Sequence, residues 1–459
     1  MPAFTLDEVR EATGAQLYKM EHEEFTDIVT DTRKITPGVL FLAFKGERFN
    51  GEDFVRDAVE KGASGVMVST SCPKAQLAGL KTTVLIAEDT LTAYQQLAHA
   101  WRMRFSLPVV AITGSNGKTT TKDLTAAVLS ARGPVLKTQA NYNNEIGLPL
   151  TLLGLRKEHT AAVVEIGMRG LHQIEAMAPI AAPTVGIVTN VGETHMELLG
   201  SIENIAKAKS EMAEAIPAGG TVVLNADNPY VAAMRSQAKE GIRVLTFGIE
   251  KEADVRAKEE TIETIDGHET RFKIEWKGRE QTFTFAMVGR HNVYNALAAI
   301  AAGFALGLTP AEAASGLRNL KATKMRFEVQ DVKTYHVIND AYNASPMSMK
   351  AAIETLSELT KGRKIAVMGD MLELGSVSEE AHREVGHELA EHGFAAVVTR
   401  GQMGAFIADG AEEGGVPQVF RADSHEAAAD YLHKILEPGD TILFKGSRGM
   451  QMEKIIDLL

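Results

Sequence analysis

The sequence predicts an α/β protein of three domains built around a central parallel sheet with helices on both faces. Three observations carry that expectation. A chain of 459 residues, 45% hydrophobic and 24% charged, is long enough for two to four domains that each bury a core. From residue 109 onward, short apolar runs alternate with helix-length segments, the rhythm of parallel strands buried on both sides. A glycine-rich string, TGSNGKTT, sits between one such run and a helix-forming stretch.

Residues 1–104 form the expected small N-terminal α/β domain. MPAFTLDEVREATGAQ starts an amphipathic helix on acidic residues, short β-like runs lie at 39–43, 65–68 and 83–86, and a helix is expected over 53–61. A helix over 90–105 ends before Pro108, a first boundary. Residues 105–321 carry the strands VVAIT, AAVVEIG, VGIVTN, TVVLN and IRVLTF of the central sheet. The period-two run TRFKIEWKGREQTFTFAM, with Lys-Gly at its bend, predicts a hairpin appended to this sheet, and an alanine-rich helix over 292–306 closes the domain. The polar stretch 318–324 is the second boundary and the expected hinge. After it, YHVIND, KIAVMGD, AAVVTR and TILFKGS restart the alternation and predict a Rossmann-like C-terminal α/β domain at 322–459.

Composition excludes several functions. Lys plus Arg number 48 against 60 Asp plus Glu, a net charge of −12, the wrong sign for a protein that lives on nucleic acid or an anionic membrane. Any phosphate must therefore be met by a local site. A single cysteine, Cys72, forbids an internal disulfide and a Cys-rich zinc site. The N-terminus lacks a basic segment followed by an apolar run, and no apolar stretch approaches ~18 residues, so neither secretion nor membrane insertion is expected. A cytoplasmic protein is the expectation.

TGSNGKTT makes the central sheet P-loop-type. Gly114 and Gly117 let backbone N–H groups curl around phosphate oxygens, Ser115, Asn116 and Thr120 line the turn, and the following helix adds its positive dipole end. Lys118 is expected on the β- and γ-phosphates and Thr119 on Mg2+. Ile112 stands where the general pattern has its first glycine, leaving the short form G-S-N-G-K-T. Other strands end in Glu165, Asn190 and His195, and strand carboxyl ends are where an open parallel sheet binds ligands. Glu165 offers the oxygen Mg2+ prefers; His195 by position alone is weaker, since most histidines are surface or satisfied core residues. Lys207 and Lys209, in SIENIAKAKSEMAEAI, would ordinarily belong to a solvated helix face.

Taken in order, TGSNGKTT, EIG, TNVGETH, AKAKSE, GRHNVYNALAA and INDAYNASP resemble the Mur ligase family. The resemblance extends over all three domains. KGERFNG, DTRKITPGVLFLA, GDMLELG and KGSRGMQME are similar to the member that adds D-alanyl-D-alanine to UDP-N-acetylmuramoyl-tripeptide, using ATP. It implies two Mg2+ ions, with Glu165 a ligand of one, His195 of the other, and Lys209 carbamylated by CO2 to serve as an oxygen ligand; Lys207 is the neighbouring candidate. It also implies nucleotide-site roles for His291, Asn292, Asn295, Arg326, Asp340 and Tyr342, with Arg326 and Asp340 near ribose and phosphate. Thr32 and Arg33 would hold the uridine diphosphate end, and Asn141, Asn143 and Asn144 the substrate-binding loop. The bland alternatives are an exposed polar turn at 32–33, helix capping at 291–295 and a common asparagine turn at 141–144. Ser345 stands where many relatives have asparagine and receives no role.

The implied chemistry is attack of the tripeptide carboxylate on the γ-phosphate, then attack of the dipeptide amine on the acyl phosphate, with the C-terminal domain closing on ATP and binding the dipeptide. A monomer acting on small molecules is expected. Two alternatives stay open: another amide ligase of the same scaffold, Mur-type or folylpolyglutamate-type, and a regulatory nucleotide switch. The switch lacks support, because neither N-K-x-D nor D-x-x-G occurs after the phosphate loop.

Overall fold

The computed structural model describes residues 2–46, 49–320 and 325–459. The expected boundary at 321/322 and most of the expected hinge lie outside them. Two compact units result: one made of 1–111, 133–166 and 175–184, the other of 112–132, 167–174 and 185–459.

The first unit holds a five-stranded sheet in the order Gln16–Lys19, Thr83–Ala87, Gly65–Ser69, Leu40–Leu42, Ile28–Val29, parallel except for its first pair. Thr5 caps the helix Leu6–Thr13 through a reciprocal bond with Glu8, so the sequence start folds as its capping signal dictates. The stretch expected as one helix over 53–61 is a 3-10 turn, Gly51–Phe54, leading into the helix Val55–Glu60, because the Asn50 side chain accepts the Glu52 N–H and starts the turn early. Helix Thr90–Met103 buries Ala93, Tyr94, Leu97, Ala98 and Trp101 at helical spacing. Residues 133–166 add parallel strands Val135–Lys137 and Ala161–Glu165.

In the second unit, Val255–Arg256, Arg243–Gly248, Thr221–Asn225 and Val185–Val188 run parallel in that order. The carbonyl of Thr113, last residue of the strand Val109–Thr113, accepts the Thr189 N–H at 3.0 Å, so this strand ends beside the exit of Val185–Val188. The hairpin Glu269–Trp276/Arg279–Phe285 turns on Lys277 and Gly278, both at positive φ, as a two-residue turn between twisted strands requires. It differs from expectation in one respect. With Glu263–Ile265 it forms a sheet of its own, joined near the strand Val255–Arg256 by the Ala257 and Ile274 bridge and the Lys258 N–H on Lys273 O, because its apolar face, with Phe272 stacked on Phe283, needs its own cover.

Helix Arg290–Ala305 is buried nearly all round, which its alanines permit, and it packs on the phosphate-loop helix Lys118–Leu129. From the other side, helix Pro310–Arg318 approaches so closely that a Cβ on Gly316 would lie 2.5 Å from the carbonyl oxygens of Ala127 and Val128.

The C-terminal sheet runs Glu328–Val332, Tyr335–Asp340, Thr441–Lys445, Lys364–Gly369, Ala396–Arg400, Gln418–Ala422, antiparallel only in its first pair. Along Lys364–Gly369, Ala366 and Met368 face one core and Ile365 and Val367 the other, so helices cover both faces. The edge strands 328–332 and 418–422 are not visible as apolar runs, because edge strands keep polar residues.

Gly316→Ala is expected to cost about 1–3 kcal/mol, since the backbone of the phosphate-loop helix would have to move. Gly170→Ala, whose Cβ would meet nothing nearer than 3.7 Å, should be close to neutral. Urea unfolding of both variants checks the difference.

Candidate active site

The phosphate loop is held by the segment that follows the strand Val185–Val188. Asn190 Oδ1 accepts the Asn116 N–H at 2.8 Å, and Asn190 Nδ2 donates to the Asn116 carbonyl at 3.1 Å. Thr189 Oγ1 donates to that same carbonyl at 2.6 Å, and Ser115 Oγ donates to Gly192 O at 2.9 Å. Gly114 has φ +148, and a Cβ there would lie 1.9 Å from Thr189 Oγ1, so only glycine permits this approach. Lys118 Nζ donates to the carbonyls of Gly114 and Ser115, at 2.7 and 3.2 Å, curling over the loop it belongs to. Thr119 and Thr120 open the helix and are buried.

The asparagines expected at the nucleotide brace this loop from behind. Asn295 Oδ1 accepts Thr121 Oγ1 at 3.2 Å and occupies the space a Cβ on Gly117 would need. Asn295 Nδ2 donates to Asn292 Oδ1 at 3.1 Å, and Asn292 Nδ2 donates to Val288 O at 2.8 Å. His291 packs edge-on to Phe327; desolvation pushes its imidazole down to about 4, and Lys445 adds to that shift while Asp340 opposes it.

Lys209 is 2% exposed, on the inner face of helix Ile202–Ala215. Burial, and then the nearby Lys118 ammonium, push its amine well below the usual lysine range. Lys207 stands on the exposed side of the same helix, one residue of a shallow apolar recess with Tyr230 and Met234. His195 has φ +57, starts the short helix Met196–Leu199 and lies within electrostatic reach of Lys118 and Lys209. Desolvation lowers its imidazole below the usual value, while Glu373 opposes the shift.

Two groups from residues 325–459, Arg326 and Ser345, reach the phosphate loop. Arg326 donates through Nη2 to Thr119 Oγ1 at 2.9 Å, and its guanidinium lies 4.2 Å over the Tyr342 ring. Asp340 receives Lys445 Nζ at 2.5 Å on one oxygen and the Phe327 N–H at 3.1 Å on the other. Ser345, given no role from sequence, donates to Asn116 Oδ1 at 2.8 Å and caps helix Pro346–Leu359. Glu373 accepts His195 Nδ1–H at 2.6 Å. Neither Ser345 nor Glu373 was distinguishable by type; only the string GDMLELG pointed toward the second.

In the first unit, Glu165 is 2% exposed and its Oε1 accepts Asn143 Nδ2 at 2.8 Å. Asn144 Oδ1 accepts the N–H of Gly147, the first residue of helix Gly147–Leu153, at 2.9 Å, and the Asn141 carbonyl accepts the Asn143 N–H at 2.8 Å. Thr32 and Arg33 form a short exposed turn capped by Asp31, which also forms an ion pair with Arg33 at 2.8 Å.

The residues fit a nucleotide and its cation. Among the described residues the buried Arg326 Nε and Thr113 Oγ1 have no hydrogen-bond partner, and a guanidinium N–H left open beside a phosphate loop matches an anionic oxygen. Among the described residues no three His, Cys, Asp or Glu side chains gather into a metal cage.

Residues 24–102, 112–303 and 325–448 match, in turn, the Mur ligase family catalytic domain, the Mur ligase middle domain, and the Mur ligase glutamate ligase domain. The UDP-N-acetylmuramoyl-tripeptide–D-alanyl-D-alanine ligase of Bacillus subtilis is 40% identical over 461 aligned positions, covering 98% of this chain and 97% of its own. The chain belongs to the Mur ligase family. The enzyme of the same name from Escherichia coli is 36% identical, over 94% of this Mur ligase and 93% of its own length. A crystal structure of MurF from Acinetobacter baumannii superposes with a TM-score of 0.90 at 32% identity, covering 99% of this chain and 98% of its own. MurF of Thermotoga maritima in complex with ADP superposes at 0.83 with 28% identity, over 94% and 96%. The three-domain α/β architecture is that of these neighbours. No helix among the described residues of this Mur ligase is long and apolar enough to cross a membrane.

Asn190→Ala removes both side-chain bonds to Asn116. ADP affinity, measured by calorimetry, is expected to fall roughly 5–30-fold, the equivalent of about 1–2 kcal/mol for two bonds.

Proposed function

We propose that this chain is the ATP-dependent ligase that joins D-alanyl-D-alanine to UDP-N-acetylmuramoyl-tripeptide in peptidoglycan precursor synthesis. The observation that carries the reaction class is Arg326, from beyond the central domain, on Thr119 of the phosphate loop, with one guanidinium N–H unsatisfied among the described residues. The substrates rest on the relatives, whose names specify them and whose lengths are matched to 97% and 93%.

In the first step a carboxylate oxygen of the tripeptide forms a bond to the γ-phosphorus while the bond to the ADP oxygen breaks. Two anions must meet, and Lys118, Arg326 and the loop N–H groups neutralise the charge that spreads over the phosphate oxygens. In the second step the dipeptide nitrogen bonds to the acyl carbon, phosphate departs and the nitrogen loses a proton. Ser345 and Arg326 hold the last domain against the loop, which excludes water from the acyl phosphate.

Thr119, Glu165, His195 and Lys209 are the residues that would hold two Mg2+ ions, which supply further charge neutralisation at the phosphates. Lys209 enters this set as a carbamate. Burial and Lys118 favour the uncharged amine, the form that attacks CO2: its nitrogen bonds the carbon as one C–O π pair moves onto oxygen, the nitrogen loses a proton, and the product is an oxygen-bearing anion. Asn141, Asn143 and Asn144 serve the tripeptide end and Thr32 and Arg33 the uridine diphosphate end. His291, Asn292, Asn295, Asp340 and Tyr342 complete the nucleotide site, and the last domain carries the dipeptide. The proposed enzyme is a cytoplasmic monomer.

Phosphate release is expected only when ATP, the UDP-tripeptide and D-alanyl-D-alanine are all present; release that ignores the dipeptide would overturn the reading. Lys118→Ala should lower turnover by about 100-fold or more with the protein still folded by thermal unfolding. Lys209→Ala should lose most activity, and short carboxylic acids, not amines, should restore part of it. Rescue by amines, or full activity without additive, would refute the carbamate.

A further inference from the structure

Three segments distant in sequence meet at one carboxylate. Glu373 lies at φ +66 and His195 at φ +57, in the left-handed region that residues other than glycine enter uncommonly. Such positions persist where the surroundings enforce them. At their meeting point Glu373 Oε2 accepts the His195 Nδ1–H at 2.6 Å, and Glu373 Oε1 lies 3.8 Å from Arg169 Nη2. The backbones are tied as well, the Glu197 N–H donating to Glu373 O at 3.4 Å. A Cβ on Gly375, itself at φ +58, would lie 3.0 Å from the Glu197 Cα, so the two turns are in close contact.

Resting on the metal-ligand reading of His195 above, we propose that Glu373 is a positioning residue for His195. Its carboxylate fixes the proton on Nδ1 and the ring's orientation, leaving Nε2 as the bare nitrogen offered to a divalent cation. Metal-ligating imidazoles almost always have their second nitrogen held by such a group. Here that group belongs to the last domain while the imidazole belongs to the central one. The histidine is therefore oriented for a cation only when the last domain is seated, so seating and completion of the cation site are one event. Arg169 lies too far from Glu373 for a direct hydrogen bond and is mainly exposed, so its pairing with Glu373 is the weaker contact.

The test uses the full chain with Glu373→Ala, Glu373→Asp, Arg169→Ala and His195→Ala, each checked for folding by thermal unfolding. In 15N-histidine-labelled protein without nucleotide, the His195 signal, assigned by its loss in His195→Ala, should show Nδ1 protonated and Nε2 bare. In Glu373→Ala it should collapse toward a tautomer mixture. The Mg2+ concentration giving half-maximal turnover should rise about 10–100-fold in Glu373→Ala with KM for ATP little changed. Glu373→Asp should recover part of both readouts, and Arg169→Ala should leave both near native. A native His195 spectrum and Mg2+ requirement in Glu373→Ala, or an equal effect of Arg169→Ala, would overturn the proposal. An unchanged Mg2+ requirement in His195→Ala would instead overturn the ligand reading of the histidine; the spectrum of Glu373→Ala still decides whether the carboxylate orients the ring.

Discussion

Two lysine amines held near one another, Lys118 on the phosphate loop and Lys209 buried on helix Ile202–Ala215, set the electrostatic problem that the rest of the site answers. Burial makes a bare ammonium costly, and a second positive charge nearby makes it costlier still. Two outcomes relieve it: the buried amine gives up its proton, or anions arrive. The proposed chemistry uses both, since triphosphate and carboxylate bring negative charge and a neutral amine is the form that can take up CO2.

Rigidity of the loop follows from where its neighbours come from. Strand Val109–Thr113 delivers the loop, residues 189–192 bind its backbone through Thr189 and Asn190, and Asn295 fills the space beside Gly117. Helices Arg290–Ala305 and Pro310–Arg318 press on the helix that follows, close enough that glycine is required at contact points such as Gly316. The protein's own groups thus fix the loop's shape, which lowers the ordering cost of binding a phosphate. Residues 325–459 then add Arg326, Ser345 and Glu373, each aimed at a different part of the central domain.

Much of this was legible in the chain. Strands at 109–113, 161–165, 185–188, 221–225 and 243–248 stood out because buried parallel strands are continuous apolar runs, and Lys118 and Thr119 because their roles depend on neighbours in sequence. The short strands 135–137 and 328–332 were not, since half-exposed strands carry no comparable pattern. Asn292 and Asn295 were picked out by likeness to a family, yet their observed partners are Val288, Thr121 and each other. Asp340, expected near ribose and phosphate, has its oxygens on Lys445 and the Phe327 backbone.

By itself the sequence determined the α/β class, the phosphate loop and the family, because apolar periodicity and a contiguous glycine-lysine-threonine turn are local properties. Only the tertiary structure decided that Lys209 rather than Lys207 faces inward, that Arg326 meets Thr119, and that Glu373 meets His195. Those facts depend on helix rotation and on contacts between segments some two hundred residues apart. A single residue's type carries no record of such partners; burial and distance exist only once the chain has folded.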